Sequence, residues 1–433
     1  MNLTDWMRRA ARRAALVLPL AGVVAAVGCN EKLDGSLGCP LTCVDQGAQI
    51  QTVDLDAVSS ATTVLGGLGI GTAPLMLLAN RGDTLDTRVI IRFDTLPGIS
   101  AVSATDTSTA TSLQYADSVY LKLRLDSLAS KLGASTVSVY DVDTNAGDDT
   151  TAATLAPLFT PSRLVGSLAV PAGKLVDSVS IRLPNSFLTS KAAAKAHVRL
   201  GVQITAATSA SARVFATSTG FGPSITLRNY PDTTTHKPIT LLPYSATPTT
   251  NTSIANSLKD FTIVVKGTPP AGTGVLAVGG LPGTRAYFRF NVPARIVDSS
   301  LVIRATLLLT QVPSSSPDPT DTMRVQPYLV LAGPPVTDPA KAAQIVADTG
   351  VVGLKALRTT PASSGVQEVE IAPVFRYWAV QGDTLLPRAV TLRSSQEDFS
   401  PQQALFYGPN AADPTVRPKL RISYTLRSRI GLP

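Results

Sequence analysis

The sequence predicts an all-β protein with two tandem β-sandwich domains and few short helices, preceded by a signal peptide. Glu is rare, whereas Thr, Ser, Val, Leu, Ala, Gly and Pro are abundant, and this composition favours strands and turns over long helices. A chain of 433 residues has room for two domains that each bury a core. A set of strand-like segments also occurs twice in the same order, which indicates duplication of one domain.

Residues 1–28 are predicted to be a signal peptide. Four arginines between positions 8 and 13 precede the apolar run AALVLPLAGVVAAV, which has the length of a secretion-signal core. The run ends in AVGC, which resembles the lipobox of bacterial lipoproteins, where small residues precede a Cys that is lipidated. The resemblance implies lipidation of Cys29, a lipidated tether over residues 29–50 and attachment to a membrane. A plain signal peptide or an uncleaved anchor is the alternative interpretation.

A lipid anchor places the mature chain in the cell envelope. Because Asn30 rather than Asp follows the Cys, the resemblance favours the outer membrane, on its periplasmic or surface face. In an oxidising envelope Cys39 and Cys43 could pair as one disulfide, since only three residues separate them. A zinc site would need further Cys or His nearby, and the only histidines are His197 and His236.

The net charge gives no sign of a nucleic-acid partner. The chain carries +8, of which the signal peptide contributes +3 from four Arg and one Asp, leaving +5 for the mature chain. This surplus is spread along the sequence without a basic run. A surface that binds nucleic acid would concentrate it, so we expect no such partner.

Two similar stretches mark the duplication. TRVIIRFDTLP at residues 87–97 has a counterpart in TRAYFRFNVP at residues 284–293, and an Asp-Ser pair begins the next strand in both copies. The Pro- and Thr-rich residues 231–256 between the copies have the composition of a linker. The predicted domains are therefore residues 51–230 and 257–433.

The repeated strand separates into two faces by its period of two. The apolar face is predicted to be the core and comprises Val89, Ile91 and Phe93 in the first copy and Ala286, Phe288 and Phe290 in the second. The other face is predicted to point outward and includes Arg88 and Arg92 in the first copy and Arg285, Tyr287 and Arg289 in the second. Short helices are predicted over residues 338–348 and 374–380.

The order of segments resembles the DNRLRE family of bacterial envelope domains, which are jelly-roll-like β-sandwiches and include carbohydrate-binding modules. VIIRFDTLPGI matches the first family strand, and YFRFNVP, VEIAPVFRYW and RPKLRISYT match the first, third and last elements in the second copy. The first copy departs from the family, because VSIRLPNSFL at residues 179–188 has no Trp where VEIAPVFRYW has Trp378. The resemblance implies two tandem jelly-roll-like domains.

The residues that an enzyme would need are scarce. The chain has no G-x-S-x-G nucleophile elbow, and neither His197 nor His236 has an acidic neighbour in the sequence that would indicate a catalytic triad. The sequence therefore predicts a protein that is not an enzyme and has no catalytic residues.

One segment has features of a calcium loop. Asp141, Asp143, Asn145 and Asp149 alternate along DVDTNAGDD, and hard cations bind several oxygen ligands close together. The glycine comes one place late, and Ala152 stands where a bidentate Glu is needed. An acidic, solvated turn is the favoured interpretation, with calcium as the alternative and no other cofactor expected.

For binding, the outward face with Arg285, Tyr287 and Arg289 is the candidate, because aromatic rings stack on sugars while Arg donates hydrogen bonds. The alternative is a solvated sheet face without a ligand. The leading hypothesis is a non-catalytic envelope lipoprotein that binds polysaccharide or another envelope or extracellular ligand. The competing hypothesis is a structural or adhesive envelope protein that uses its sandwiches for protein–protein contacts.

Overall fold

The computed structural model describes residues 50–426 except 66–70, 72, 145–149, 173–176, 233, 247–257, 315–319, 336, 338, 348–351 and 381–386. The described residues form one compact unit that is mostly β-strand, as the composition predicts. The signal peptide, Cys29, Cys39 and Cys43 lie outside the described residues.

The strands of the first part of the chain are β1 (Gln51–Val64), β2 (Leu75–Asn80), β3 (Asp86–Phe93), β4 (Ser100–Ala101), β5 (Thr109–Ala110), β6 (Asp117–Arg124), β7 (Ser135–Asp141), β8 (Leu164–Val170), β9 (Ser178–Arg182), β10 (Val198–Ala206), β11 (Ala210–Phe215), β12 (Ser224–Arg228) and β13 (Ile239–Leu241). Those of the second part are β14 (Asp260–Lys266), β15 (Val275–Gly279), β16 (Thr284–Phe290), β17 (Ser300–Val312), β18 (Met323–Leu329), β19 (Leu357–Thr359), β20 (Gly365–Glu370), β21 (Ala389–Ser394), β22 (Gln403–Tyr407) and β23 (Lys419–Leu426).

The described α-helices are short. They are α1 (Ala152–Leu155), α2 (Asn185–Ala193), α3 (Ala294–Asp298), α4 (Pro339–Gln344) and α5 (Ala372–Val380). Helices α4 and α5 lie where the sequence predicts helices, which confirms both predictions.

The strands divide into two halves, each with its own hydrophobic core. In the N-terminal half, a sheet in the order β11-β2-β3-β10-β7-β8, with β14 on β3, shares a core with a sheet in the order β13-β12-β6-β9. In the C-terminal half, the order is β1-β23-β17-β22-β15-β16-β21-β18-β19, with β20 on β17, and β1 also pairs with β16. Phe288, Phe290 and Trp378 lie in this second core.

The pairings in the two halves correspond strand by strand. β3 pairs with β2 and β10, as β16 pairs with β15 and β21. β6 pairs with β9 and β12, as β17 pairs with β20 and β23. After β9 and β20 comes the same element, a nine-residue helix, α2 or α5. The predicted duplication is thus visible in the topology.

The strands that come before each half in the sequence pair within the other half. β1 precedes the N-terminal half in sequence, yet its residues 51–56 pair with β23 and its residues 57–64 with β16. β13 and β14 precede the C-terminal half, yet they pair with β12 and β3. The pairing therefore crosses the predicted boundaries at 51–230, 231–256 and 257–433. Alternation along a strand reports its two faces and not its partner, so the sequence pattern could not show the exchange.

The predicted inward faces are confirmed. Val89, Ile91 and Phe93 are buried in the core of the N-terminal half, and their counterparts on β16 are buried in the other core. The prediction that the opposite face points to solvent is wrong for most of its residues. Arg92 is 1% exposed and Arg285 is 7% exposed. Further segments cover these faces, as the next sections describe.

Candidate functional site

Arg285 lies in a buried charged cluster beneath the surface. Its Nε and Nη2 donate to Oε2 and Oε1 of Glu397 at 3.1 and 2.6 Å. Nε of Arg393 lies 2.7 Å from Oε1 of the same carboxylate, although its N–H is not aimed at that oxygen. Both arginines are thus held by Glu397, and Arg285 is committed to this internal pair.

Asp398 is the remaining acid of this cluster. Burial, together with the negative charge of Glu397, raises the pKa of Asp398 from 3.8 to about 6, against the opposing effect of Arg393 and Arg285. Its charge therefore changes at mildly acidic pH.

Tyr287 is almost covered, with 6% of its surface exposed. Its hydroxyl donates to the carbonyl oxygen of Gly333 at 3.2 Å, which fixes the loop after β18 against β16. Burial raises the pKa of Tyr287 above its ordinary value of 10.0.

Arg289 is exposed, and beside it an open cleft of about 390 Å³ lies between β1 and the loop after β18. We call it the β1–β16 cleft; its lining residues are Ser59, Ser60, Ala61, Tyr287, Arg289, Gly333, Pro334, Pro335 and Pro387. The register places Ala61 opposite Tyr287 and Ser59 opposite Arg289. The structure thus brings two of the three predicted ligand-binding residues to one cleft and leaves Arg285 behind it.

The β1–β16 cleft combines free polar groups with apolar ring surfaces. Within the described part of the chain, the side chains of Ser59, Ser60 and Arg289 make no hydrogen bond or ion pair. Three proline rings supply flat C–H surface beside them. Such a surface suits a ligand with hydroxyl groups on its edge and apolar faces, as a sugar ring has.

Sequence reasoning missed the serines and prolines of this cleft. Ser59 and Ser60 lie on β1, which by sequence belongs to the other copy, so no local pattern connects them with Arg289. The prolines lie in loops, where Pro is expected for structural reasons. The run of small, mostly hydroxyl-bearing residues Ser-Ser-Ala-Thr-Thr at positions 59–63 was the feature of the sequence that could have indicated a polar, open strand face.

Trp378 is a core residue. It is 4% exposed, and its ring meets Phe375 edge-on with centroids 4.9 Å apart. In the N-terminal half, Phe187 and Leu188 of α2 enter the core from the corresponding helix. The missing Trp of the first copy is therefore a difference in packing.

The predicted outward arginines of β3 are covered. The guanidinium of Arg88 pairs with Asp86 at 2.8 Å and lies over the ring of Phe159. The guanidinium of Arg92 lies 5.5 Å from the ring centroid of Phe261 on β14. Through these contacts the segments that carry Phe159 and Phe261 pack on the face of β3 on which both arginines lie, and they cover it.

The calcium candidate has an internal cation beside it. Nζ of Lys191 lies 2.8 Å from Asp141 and 3.2 Å from Asp143, so an ammonium already neutralises the two carboxylates. Asn145 and Asp149 lie outside the described residues, and no group of three metal-binding side chains occurs within the described ranges. Calcium at this loop stays a prediction.

Both histidines have an acidic neighbour in space, which for His197 is distant in sequence and for His236 lies four residues earlier. Nδ1 of His197 lies 3.5 Å from Asp94, whose carboxylate also lies 3.5 Å from Nε of Arg199 and accepts the backbone N–H of Ala246. Nδ1 of His236 lies 3.7 Å from Asp232. The carboxylate of Asp94 thus joins β3, β10 and the segment after β13.

No protein-family model and no curated protein sequence matches the chain. Among solved structures, it is similar to the N-terminal CBM22-1-CBM22-2 tandem domain of Paenibacillus barcinonensis Xyn10C, with 10% identity, 86% of this chain and 98% of that chain covered, and a TM-score of 0.14. It is also similar to the infectious bursal disease virus Gt strain, with 9% identity, 88% and 76% covered, and a TM-score of 0.10. TM-scores this low carry no argument about fold or function.

Among the helices within the described ranges, none is both long and apolar enough to span a membrane.

Proposed function

We propose that the protein is a non-catalytic, lipid-anchored envelope protein that binds polysaccharide in the β1–β16 cleft, with its halves as two jelly-roll-like β-sandwiches. The observation that carries the proposal is the exposed guanidinium of Arg289 next to the unbonded hydroxyls of Ser59 and Ser60 and a wall of proline rings. These groups can hold a glycan but provide no general acid or base.

The attachment to the membrane rests on the sequence alone. The lipobox-like AVGC supports lipidation of Cys29 and location at the outer membrane. Labelling with a radioactive fatty acid, followed by fractionation of the envelope, tests this part. Label that persists in a Cys29→Ala variant would contradict it.

A glycan array with the mature fragment, residues 30–433, tests the binding function. Arg289→Ala is expected to weaken retention of the bound polysaccharide about tenfold or more, because a charge-assisted hydrogen bond contributes about 1.5–3 kcal/mol. Arg295→Ala is the matched control, since it removes an exposed guanidinium that does not line the cleft. Capture of envelope proteins with no retained glycan would support the structural or adhesive alternative instead.

A further inference from the structure

A second cleft lies where the two halves meet. One wall is the turn between β2 and β3, with Thr84 and Leu85, and the opposite wall is β22. The floor is residues 268–272 of the segment that leads from β14 of the N-terminal half to β15 of the C-terminal half. This junction cleft holds about 270 Å³, enough for one ring-sized ligand.

The polar group in the junction cleft is the side-chain amide of Gln403. Along β22, Ala404 and Phe406 point into the core, so Gln403 and Leu405 lie on the other face and line the cleft. Gln403 is only 5% exposed, yet its amide makes no hydrogen bond with any described residue. Neither amide atom of Gln403 is among the fully buried, unpaired side-chain atoms of the described residues, so the amide reaches the cleft, where it can donate to and accept from a ligand.

The amide of Gln403 differs from that of the adjacent glutamine, which is hydrogen-bonded within the protein. Gln402, next to it, donates from Nε2 to Asp321 at 2.8 Å. Gly280 adopts φ +84°, and a Cβ there would come within 3.4 Å of Nε2 of Gln403 and within 3.3 Å of Thr268. A Cβ at this position would therefore lie against Thr268 and the amide, and the left-handed backbone conformation independently favours glycine.

The remaining lining is neutral and mostly apolar. The apolar walls are formed by Leu85, Pro269, Pro270, Pro401 and Leu405. The hydroxyl of Ser314 has no hydrogen-bond partner among the described residues. Since no lining residue carries a charge, the cleft favours an uncharged ligand over an ionised one.

We propose that the junction cleft is a second saccharide site, which takes one neutral sugar ring. The amide of Gln403 donates to and accepts from adjacent hydroxyl groups of the sugar, and the proline rings cover an apolar face. This inference rests on the proposed polysaccharide binding and adds a neutral site to the arginine-containing one. Because both halves line the cleft, an occupied site also holds them together.

The test uses ligand-observed NMR of the mature chain, residues 30–433, with glucose, galactose, mannose and N-acetylglucosamine. We expect at least one of these sugars to bind. Gln403→Leu keeps the side-chain size and removes the amide, and Ala271→Trp fills the cleft from its floor and leaves the side chain of Gln403 unaltered. Each is expected to reduce the binding signal at least fivefold, whereas Gln114→Leu, at an exposed position outside the junction cleft, retains it.

The junction site is overturned if none of the four sugars binds, or if the signal is unchanged in both Gln403→Leu and Ala271→Trp. Thermal unfolding of each variant separates loss of the site from loss of the fold. Polysaccharide retention that depends on Arg289 without any dependence on Gln403 leaves the β1–β16 cleft standing and removes this one. The reverse pattern removes the β1–β16 cleft and keeps the junction site.

Discussion

The two halves share a strand order and differ in the segment that completes it. In the C-terminal half one continuous strand, β1, pairs with both β23 and β16. In the N-terminal half two separate strands make the corresponding pairings: β13 pairs with β12, and β14 pairs with β3. β1 lies far in sequence from β15, the first strand of the C-terminal half, and β13 and β14 lie far from β2, the first strand of the N-terminal half.

This difference explains why the outer face of β3 is covered, whereas the corresponding face of β16 lies beside an open cleft. β14 brings Phe261 and Ile263 against Ile90, and the result is a small buried core on the outer side of β3. At the corresponding place β1 brings Ser59 and Ser60, which leave the face beside Arg289 open. The composition of the exchanged strand, more than that of the repeated strand, thus decides whether the face is open or covered.

The largest effect on folding is expected from a comparison of two fragments of the chain. Fragment 73–266 contains every strand of the N-terminal half, including β13 and β14, whereas fragment 51–230 lacks both and carries β1 without its partners. We expect 73–266 to unfold cooperatively and 51–230 to lack a cooperative transition. Circular dichroism with thermal melts measures this, and equal melting behaviour of the two fragments would contradict the exchange.

The second largest effect is expected at Trp378 of α5, which has no counterpart in the core of the N-terminal half. Trp378→Ala should lower the free energy of unfolding by about 3–5 kcal/mol, because it leaves a cavity in the core of the C-terminal half. Chemical denaturation measures the loss. Trp378→Phe, which keeps the ring contact with Phe375, is the matched control and should cost clearly less. A small loss for the alanine variant would show that the ring is not needed for packing.

Each half contains a carboxyl group whose pKa is raised by burial, and in the C-terminal half this group is Asp398. The pKa of Asp398 is raised to about 6, so the folded chain keeps this proton at pH values where the unfolded chain, with an ordinary value of 3.8, has released it. The stability that this proton provides is present below about pH 4 and is lost as pH rises through about 6. Melting temperatures between pH 4 and 7 should fall less steeply in Asp398→Asn.

Asp260 allows the same measurement in the N-terminal half. Burial raises the pKa of Asp260 despite the two hydrogen bonds it accepts from Thr217. Its sign is the same as that of Asp398, so Asp260→Asn should flatten the remaining pH slope. A dependence of the melting temperature on pH that neither substitution changes would show that these two carboxylates do not contribute to it.

The smallest effect is expected at the ion pair between β1 and β23. Arg421 donates two hydrogen bonds of 2.9 Å to Asp54, but both side chains are well exposed. Exposed pairs contribute little to stability, so Asp54→Asn should leave the melting temperature almost unchanged. A large drop would show that this pair, and not the backbone pairing, holds β1 in place.

Much of the fold could be predicted from the sequence because it depends on local pattern. Alternation identified the core face of β3 and β16, and the repeated order of segments identified the duplication. Two short helices were also found from capping and composition. Each of these signals is contained in a few consecutive residues.

The partners of the strands could not be predicted in the same way. Ser59 meets Arg289 across 230 positions of the sequence, and the alternation of neither strand specifies the other. Burial of Arg92 and Arg285 also follows from distant segments, which supply Phe261 and Glu397. Tyr287 and Arg289 were predicted as ligand-binding residues because aromatic rings stack on sugars and Arg donates hydrogen bonds, and both line the β1–β16 cleft although the prediction of their exposure was wrong for Tyr287.

The exchange of β1 has a mechanical consequence. Gln51, at the start of this strand, pairs with Tyr424 of the last strand. A pulling force applied at residue 50 is therefore resisted first by the hydrogen bonds of β1 to β23 and β16, in the C-terminal half. The N-terminal half, although it follows directly in sequence, bears tension only after β1 has been pulled away from its partners.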